Sequence, residues 1–142
     1  MVWEPGTGVV DLPGGGRVRG RGRRAGPPAP PDAEWTLALA GSPPKDLAGA
    51  VRWLRWRDFW VPSDPDDARD ALEEARARAR AGERVEVTCR GGRGRTGTAI
   101  ACLARLDGVA AEHAVDWARE HYDRRAVETP WQRRFVARFP RA

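Results

Sequence analysis

Val85-Glu86-Val87-Thr88-Cys89-Arg90-Gly91-Gly92-Arg93-Gly94-Arg95-Thr96-Gly97 is the stretch from which the rest of the chain can be read. Its first half alternates in the manner of a β-strand. Its middle is too rich in glycine for a regular element, and an apolar helical segment follows from Thr98 to Leu106. A cysteine and an arginine stand six positions apart around the glycine turn. The pattern is strand, loop, helix, with a nucleophile where the strand ends.

Outward from this loop, strands and helices interleave. Trp35–Ala40 reads as a strand closed by Gly41-Ser42-Pro43-Pro44, and Val51–Trp56 as a second. Asp64 is placed to cap a helix with Pro65 at its first position and Asp66 and Asp67 at the positive end of its dipole. Ala68, Leu72, Ala75 and Ala79 then form the inner face, and Gly82 ends the helix. Arg84–Thr88 is the strand that feeds the loop. Residues 95–107 form a helix apolar on most sides and therefore central, and residues 110–123 and 130–139 two more. Upstream, Val9–Leu12 and Arg17–Arg19 suit a small hairpin, with Arg21–Pro31 as a loop. The expected fold is α/β: a central, mainly parallel sheet flanked by helices, with the loop between a strand and a buried helix. Residues 1–142 are expected to form a single domain, with 1–31 an N-terminal hairpin and loop and 35–139 the core.

The bulk composition allows this. The chain has 142 residues, 41% hydrophobic, with seven Trp, enough for one real core. No run approaches the roughly 18 apolar residues of a membrane span. The N-terminus lacks a signal-peptide pattern, which points to the cytoplasm. Two cysteines make no disulfide framework and fit no zinc spacing, and His113 and His121 do not share a helix face well. Cys102 falls on the buried helix as core. The formal charge is +5, carried almost wholly by Arg. That charge suits acidic or phosphorylated substrates, and alone is poor ground for a nucleic-acid partner.

The loop residues suggest one kind of chemistry. Gly91, Gly92 and Gly94 let the backbone curl so that successive N–H groups point inward. The helix starting near Arg95 aims its positive end at the same point. Arg95 offers a planar fork to two phosphate oxygens. In such a field a thiol is driven toward the thiolate, the form that attacks phosphorus.

Cys89-Arg-Gly-Gly-Arg-Gly-Arg95-Thr96-Gly97 resembles the catalytic loop of the cysteine-dependent protein tyrosine and dual-specificity phosphatases. The resemblance implies that Cys89 is the nucleophile that becomes a phosphocysteine. It implies that Arg95 and the backbone of Arg90, Gly91, Gly92, Arg93 and Gly94 hold the phosphoryl group, and that Thr96 assists the departing thiolate. It implies no metal and no cofactor. One departure is Thr88, where the family usually has His, so a catalytically weak phosphate-binding module is the alternative.

Two further segments resemble family motifs. Trp56-Arg57-Asp58-Phe59-Trp60-Val61-Pro62-Ser63-Asp64 is similar to the loop that carries the general acid, which makes Asp58 the acid and then the base. Glu128-Thr129-Pro130-Trp131-Gln132 is similar to the loop that positions the hydrolytic water; Gln132 falls on one of its two glutamines and Glu128 replaces the other. Thr129 and Gln132 are also the two ends of a capping box. The expected activity is hydrolysis of phosphate monoesters by a monomer. The substrate is a phosphorylated protein, phosphotyrosine first, or a phosphorylated small molecule. Arg90 and Arg93 add cations to the loop, as lysines do in the superfamily's inositol-lipid phosphatases, so inositol phosphates are a second substrate class.

Overall fold

The structure, a computed structural model, describes residues 1–141. Five strands form one sheet: β1 (Val9–Asp11), β2 (Arg17–Gly22), β3 (Trp35–Ala40), β4 (Val51–Arg55) and β5 (Val85–Cys89). Their order is β1-β2-β5-β3-β4, parallel except for the β1–β2 hairpin. β5 is therefore central, and it ends in Cys89. Every residue of β3 and β5 is buried, as a parallel sheet covered on both faces requires. Four helices provide the cover: α1 (Pro65–Arg80), α2 (Gly94–Leu106), α3 (Ala114–His121) and α4 (Pro130–Arg138). This is the α/β architecture expected from the sequence.

Local chemistry accounts for the helices. The Asp64 side chain accepts from the N–H groups of Asp66 and Asp67 at 3.0 and 3.2 Å, with Pro65 opening α1. Ala68, Leu72, Ala75 and Ala79 are buried, while Arg52 on β4 bridges Asp67 and Glu74 on the flank. α2 is buried from Gly94 through Ala104 and packs among the sheet and the other three helices. Cys102 is fully enclosed there, and burial pushes its thiol far above the ordinary value, so it stays protonated. No helix among the described residues is long and apolar enough to cross a membrane.

Two segments differ from the sequence reading. The third helix is shorter than 110–123, running Ala114–His121. Arg119 in its last turn donates to the carbonyls of Ala126 and Val127 beyond it, both at 2.9 Å, which holds the chain folded back against the helix end. The segment from Arg21, read as a loop, begins instead as strand: β2 runs through Gly22 and passes into a single 3-10 turn at Arg23–Ala25. The reason is tertiary. Arg21 and Gly22 pair with Thr88 and Cys89 on β5. The buried Glu86 accepts from Arg19 and Arg21 at 2.7 and 2.9 Å, which fixes the register.

Candidate active site

The loop after β5 is shaped by its neighbours as much as by its own glycines. Cys89 is only 2% exposed, and its Sγ accepts the Gly92 N–H at 3.1 Å. Gly92 sits at φ +74°, and a Cβ there would lie 2.4 Å from the Gly22 nitrogen. The two glycines thus pack backbone to backbone, which no side chain would permit. On the same side Arg24 N–H donates to Arg90 O at 2.9 Å, and the Thr88 hydroxyl donates to Arg21 O at 2.8 Å. From the end of α3, the Tyr122 hydroxyl donates to Gly92 O. Burial and the Cys89 charge push that phenol well above its ordinary value, so it remains a donor. The hairpin and α3 together clamp the loop.

Arg95, in the first turn of α2, is 5% exposed. Its Nη1 donates to Trp56 O at 3.0 Å and more weakly to Leu39 O at 3.5 Å, which anchors one arm of the guanidinium to β3 and the segment after β4. Its Nε faces the Asp58 carboxylate at 3.5 Å and makes no hydrogen bond. The Thr96 hydroxyl beside it is fully buried and also without a partner. A buried donor left unmatched is costly unless something arrives to meet it. Two such donors stand immediately behind the loop.

The Asp58 loop is tied to α4. Gln132 completes the capping box with Thr129, its Oε1 accepting from Glu128 N and Thr129 N at 2.9 and 3.2 Å. Its Nε2 donates to Trp60 O at 3.0 Å, an oxygen that also accepts from the Trp56 indole at 2.6 Å. The Trp131 indole donates to Phe59 O and stacks on Trp60 at 5.5 Å between ring centroids. Among the described residues, only two besides glycine have positive φ: Phe59 at 65° and Val127 at 64°. Each adjoins an acidic residue of the site, Asp58 and Glu128. For the β-branched Val127 this is real strain, of a kind that survives where surrounding contacts over-determine the backbone. Glu128 lies so close to Gly94 that a Cβ there would overlap its carboxylate. Burial, then the charge of Asp58, hold the Glu128 carboxyl above the ordinary carboxylate value.

These elements enclose a cavity of about 410 Å3. Cys89, Arg90, Gly91, Arg93 and Gly94 line it from the loop, and Asp58 and Glu128 complete the acidic part of its lining. Gly92, Arg95, Thr96 and Gln132 do not line it. Arg24 and Ala25 do, and sequence reasoning missed both, together with Gly22 and Tyr122. One signal was available: Gly20 and Gly22 interrupt a charged strand, and glycine inside a strand marks close approach by another group. The Gly20 position is filled on one side by the Tyr122 ring. Chemically, the site offers a buried thiol that accepts from the Gly92 N–H, two carboxyls on the cavity lining, and the buried Arg95 guanidinium beside Asp58.

Comparisons with known proteins agree with this fold. A family model described as "Swiss Army Knife protein, DSP-PTPase phosphatase domain" matches residues 58–138. The crystal structure of Tk-PTP in its active form superposes with a TM-score of 0.65 at 25% identity, covering 74% of this chain and 76% of that one. Kinase associated phosphatase superposes with a TM-score of 0.63 at 17% identity over 75% and 68% of the two chains, a likeness of fold alone. An uncharacterized protein of Methanocaldococcus jannaschii is 47% identical over 58 residues, 41% of this chain and 38% of its own length. A second from the same organism is 44% identical over 55 residues, 39% of this chain and 33% of that protein. The match thus spans well under half of either curated relative.

Proposed function

The chain belongs to the DSP-PTPase phosphatase domain family, and we propose that it hydrolyses phosphate monoesters through a phosphocysteine on Cys89. The observation that carries this reading is that the buried Cys89 lines the cavity with its Sγ accepting the Gly92 N–H, while Asp58 on the same lining lies 3.5 Å from the buried Arg95.

In the first step the Cys89 thiolate attacks phosphorus. The P–O bond to the leaving group breaks, and Asp58 delivers a proton to the departing oxygen. Loop amides and Arg95 take up the charge on the phosphoryl oxygens. The Arg95 Nε, unpaired but for its distant contact with Asp58, turns to a phosphate oxygen while Nη1 stays anchored. In the second step water attacks phosphorus, Asp58 accepts its proton, and the P–S bond breaks with the electron pair returning to sulfur. Thr96 gives the leaving thiolate a hydroxyl donor. The cavity presents Glu128 to the attacking water, whereas Gln132 acts through the loop it ties down. Phe59, half exposed at the rim, offers a flat apolar surface to an aryl leaving group, which favours phosphotyrosine among protein substrates.

Thr88 gives its hydroxyl to Arg21 and so ties β5 to β2. That structural role supports a slow enzyme, and it keeps the phosphate-binding module as the competing reading. Hydrolysis of p-nitrophenyl phosphate without added metal, over about pH 5 to 8, separates the two. Turnover abolished by Cys89→Ser and lowered about 10²- to 10⁴-fold by Asp58→Ala supports the enzyme. Phosphate binding by folded, reduced wild-type protein with no turnover establishes the module instead.

A further inference from the structure

A second cavity, about 300 Å3, lies against the first: Asp58 and Arg90 line both. Its far wall is the turn after β3, with Ser42 and Asp46, and Arg23 enters it from the 3-10 turn after β2. The cationic side chains around it are Arg23, Arg90 and Arg95, against two carboxylates. Asp58 faces the Arg95 Nε at 3.5 Å, and Asp46 is the carboxylate that attracts Arg23.

Arg23 stands apart from its neighbours on the hairpin. Arg19 and Arg21 both close on Glu86. The Arg23 Nη1 is buried with no hydrogen-bond partner. Burial holds its charged form below the ordinary stability, and the attraction of Asp46 and Cys89, which outweighs the repulsion from Arg95 and Arg21, does not make up the difference. A guanidinium has five donors in a rigid fork. One whose Nη1 lacks a partner, on a half-buried side chain that lines a cavity, is matched by an anion that arrives there. A tetrahedral group with two negative charges answers the two guanidiniums lining this cavity, Arg23 and Arg90, better than a single carboxylate does.

We propose that this second cavity is an anion subsite, with Arg23 and Arg90 as its cations, that binds a second phosphoryl group on the same small molecule whose first phosphoryl group is held over Cys89. The inference rests on the first cavity receiving a phosphoryl group. It makes bisphosphorylated small molecules the favoured ligands and Arg23 a residue that sets specificity. Arg23 lies outside the residues matched by the family model, 58–138, so the subsite is a contribution of this chain's N-terminal hairpin.

The test is equilibrium binding by calorimetry in the Cys89→Ser protein, which removes the thiolate and any turnover. The probes are phenyl phosphate and 1,2-phenylene bis(phosphate), which differ only in the second group. The bisphosphate binds about 10-fold more tightly or better. Arg23→Met removes that preference and leaves phenyl phosphate affinity unchanged. Asp46→Asn, a surface change that takes away the competing carboxylate, widens the preference about two- to threefold. Equal loss for both probes in Arg23→Met would show that Arg23 serves the first phosphoryl group, and no loss for either would show that it binds neither; both results overturn the subsite. An inositol bisphosphate tested free and displayed on phosphatidylcholine vesicles separates the two sources of such a ligand, since tight binding only on vesicles assigns it to a lipid headgroup. Absence of turnover in wild-type protein with the bisphosphate preference intact overturns the proposed hydrolysis and leaves the subsite standing.

Discussion

Replacing Gly22 by alanine tests whether the N-terminal hairpin forms a wall of the catalytic loop. Gly22 has φ −92° and ψ 125°, an extended conformation that alanine adopts without strain. Space is therefore the only obstacle. The added methyl would lie 2.6 Å from Gly91 O, 2.7 Å from Gly91 C and 3.0 Å from Gly92 N. All three are backbone atoms and cannot rotate away. β2 is held by its pairing with β5 and by the two arginine contacts to Glu86, so the loop yields first. Forcing one carbon into packed surroundings costs about 1–3 kcal/mol. For a chain of this size that lowers Tm by about 3–12 °C. A loop displaced by a fraction of an ångström at the phosphate site lowers kcat/KM about 10- to 100-fold. Gly41→Ala is the control, because its added methyl meets nothing nearer than Arg57 Cγ at 3.6 Å. Thermal unfolding and p-nitrophenyl phosphate hydrolysis on the three proteins give the answer. If Gly22→Ala matched Gly41→Ala in both, the close packing of hairpin and loop would be refuted.

Three further outcomes are expected. Tyr122→Phe leaves Gly92 O without its donor and costs about 1 kcal/mol, with kcat/KM falling more than KM rises; a variant with wild-type kinetics would show that α3 does not hold the loop. Glu86→Ala strands Arg19 and Arg21, and urea unfolding shows a loss of about 3–5 kcal/mol, whereas a loss under about 1 kcal/mol would contradict a register fixed by this buried triad. Glu128→Gln acts through pH. The Glu128 carboxyl is held above its ordinary value, so its charged form is disfavoured in the folded state. That penalty is absent below the ordinary carboxylate pKa, where folded and unfolded chains are both protonated. It grows as pH rises and is complete above the raised folded value. The variant therefore melts above wild type near about pH 7, and the gap closes near about pH 4; a gap independent of pH would disprove the linkage.

Much of this protein was legible along the chain because the relevant physics is local. The capped start of α1, the alternation of β5, the glycine turn and the uniformly apolar α2 follow from backbone geometry and from side chains within a few residues of one another. The glycine turn from Cys89 to Arg95, read together with the strand before it and the helix after it, suggested an anion cradle. The acidic residues at the cavity walls, Asp58 and Glu128, were also marked by their surrounding motifs, and the structure brings both to the same cavity.

Tertiary structure decided what stands around that loop. Arg21–Pro31 looked like a connector because nothing local pairs it. Its partners lie far along the chain, with Thr88 bonding to Arg21 across 67 positions. Parallel pairing leaves no turn in the sequence to announce it, so the arrival of Arg24 in the cavity lined by Cys89, and of Arg23 in its neighbour, was not legible locally. The same holds for Tyr122 on Gly92 and for the division between Glu128, which faces the cavity, and Gln132, whose amide is taken up by backbone. Local periodicity specifies which elements form and which face each buries. Which side chains then meet at one point depends on sheet order and register, and here these are fixed by the buried Glu86 and by the contact of two glycine backbones.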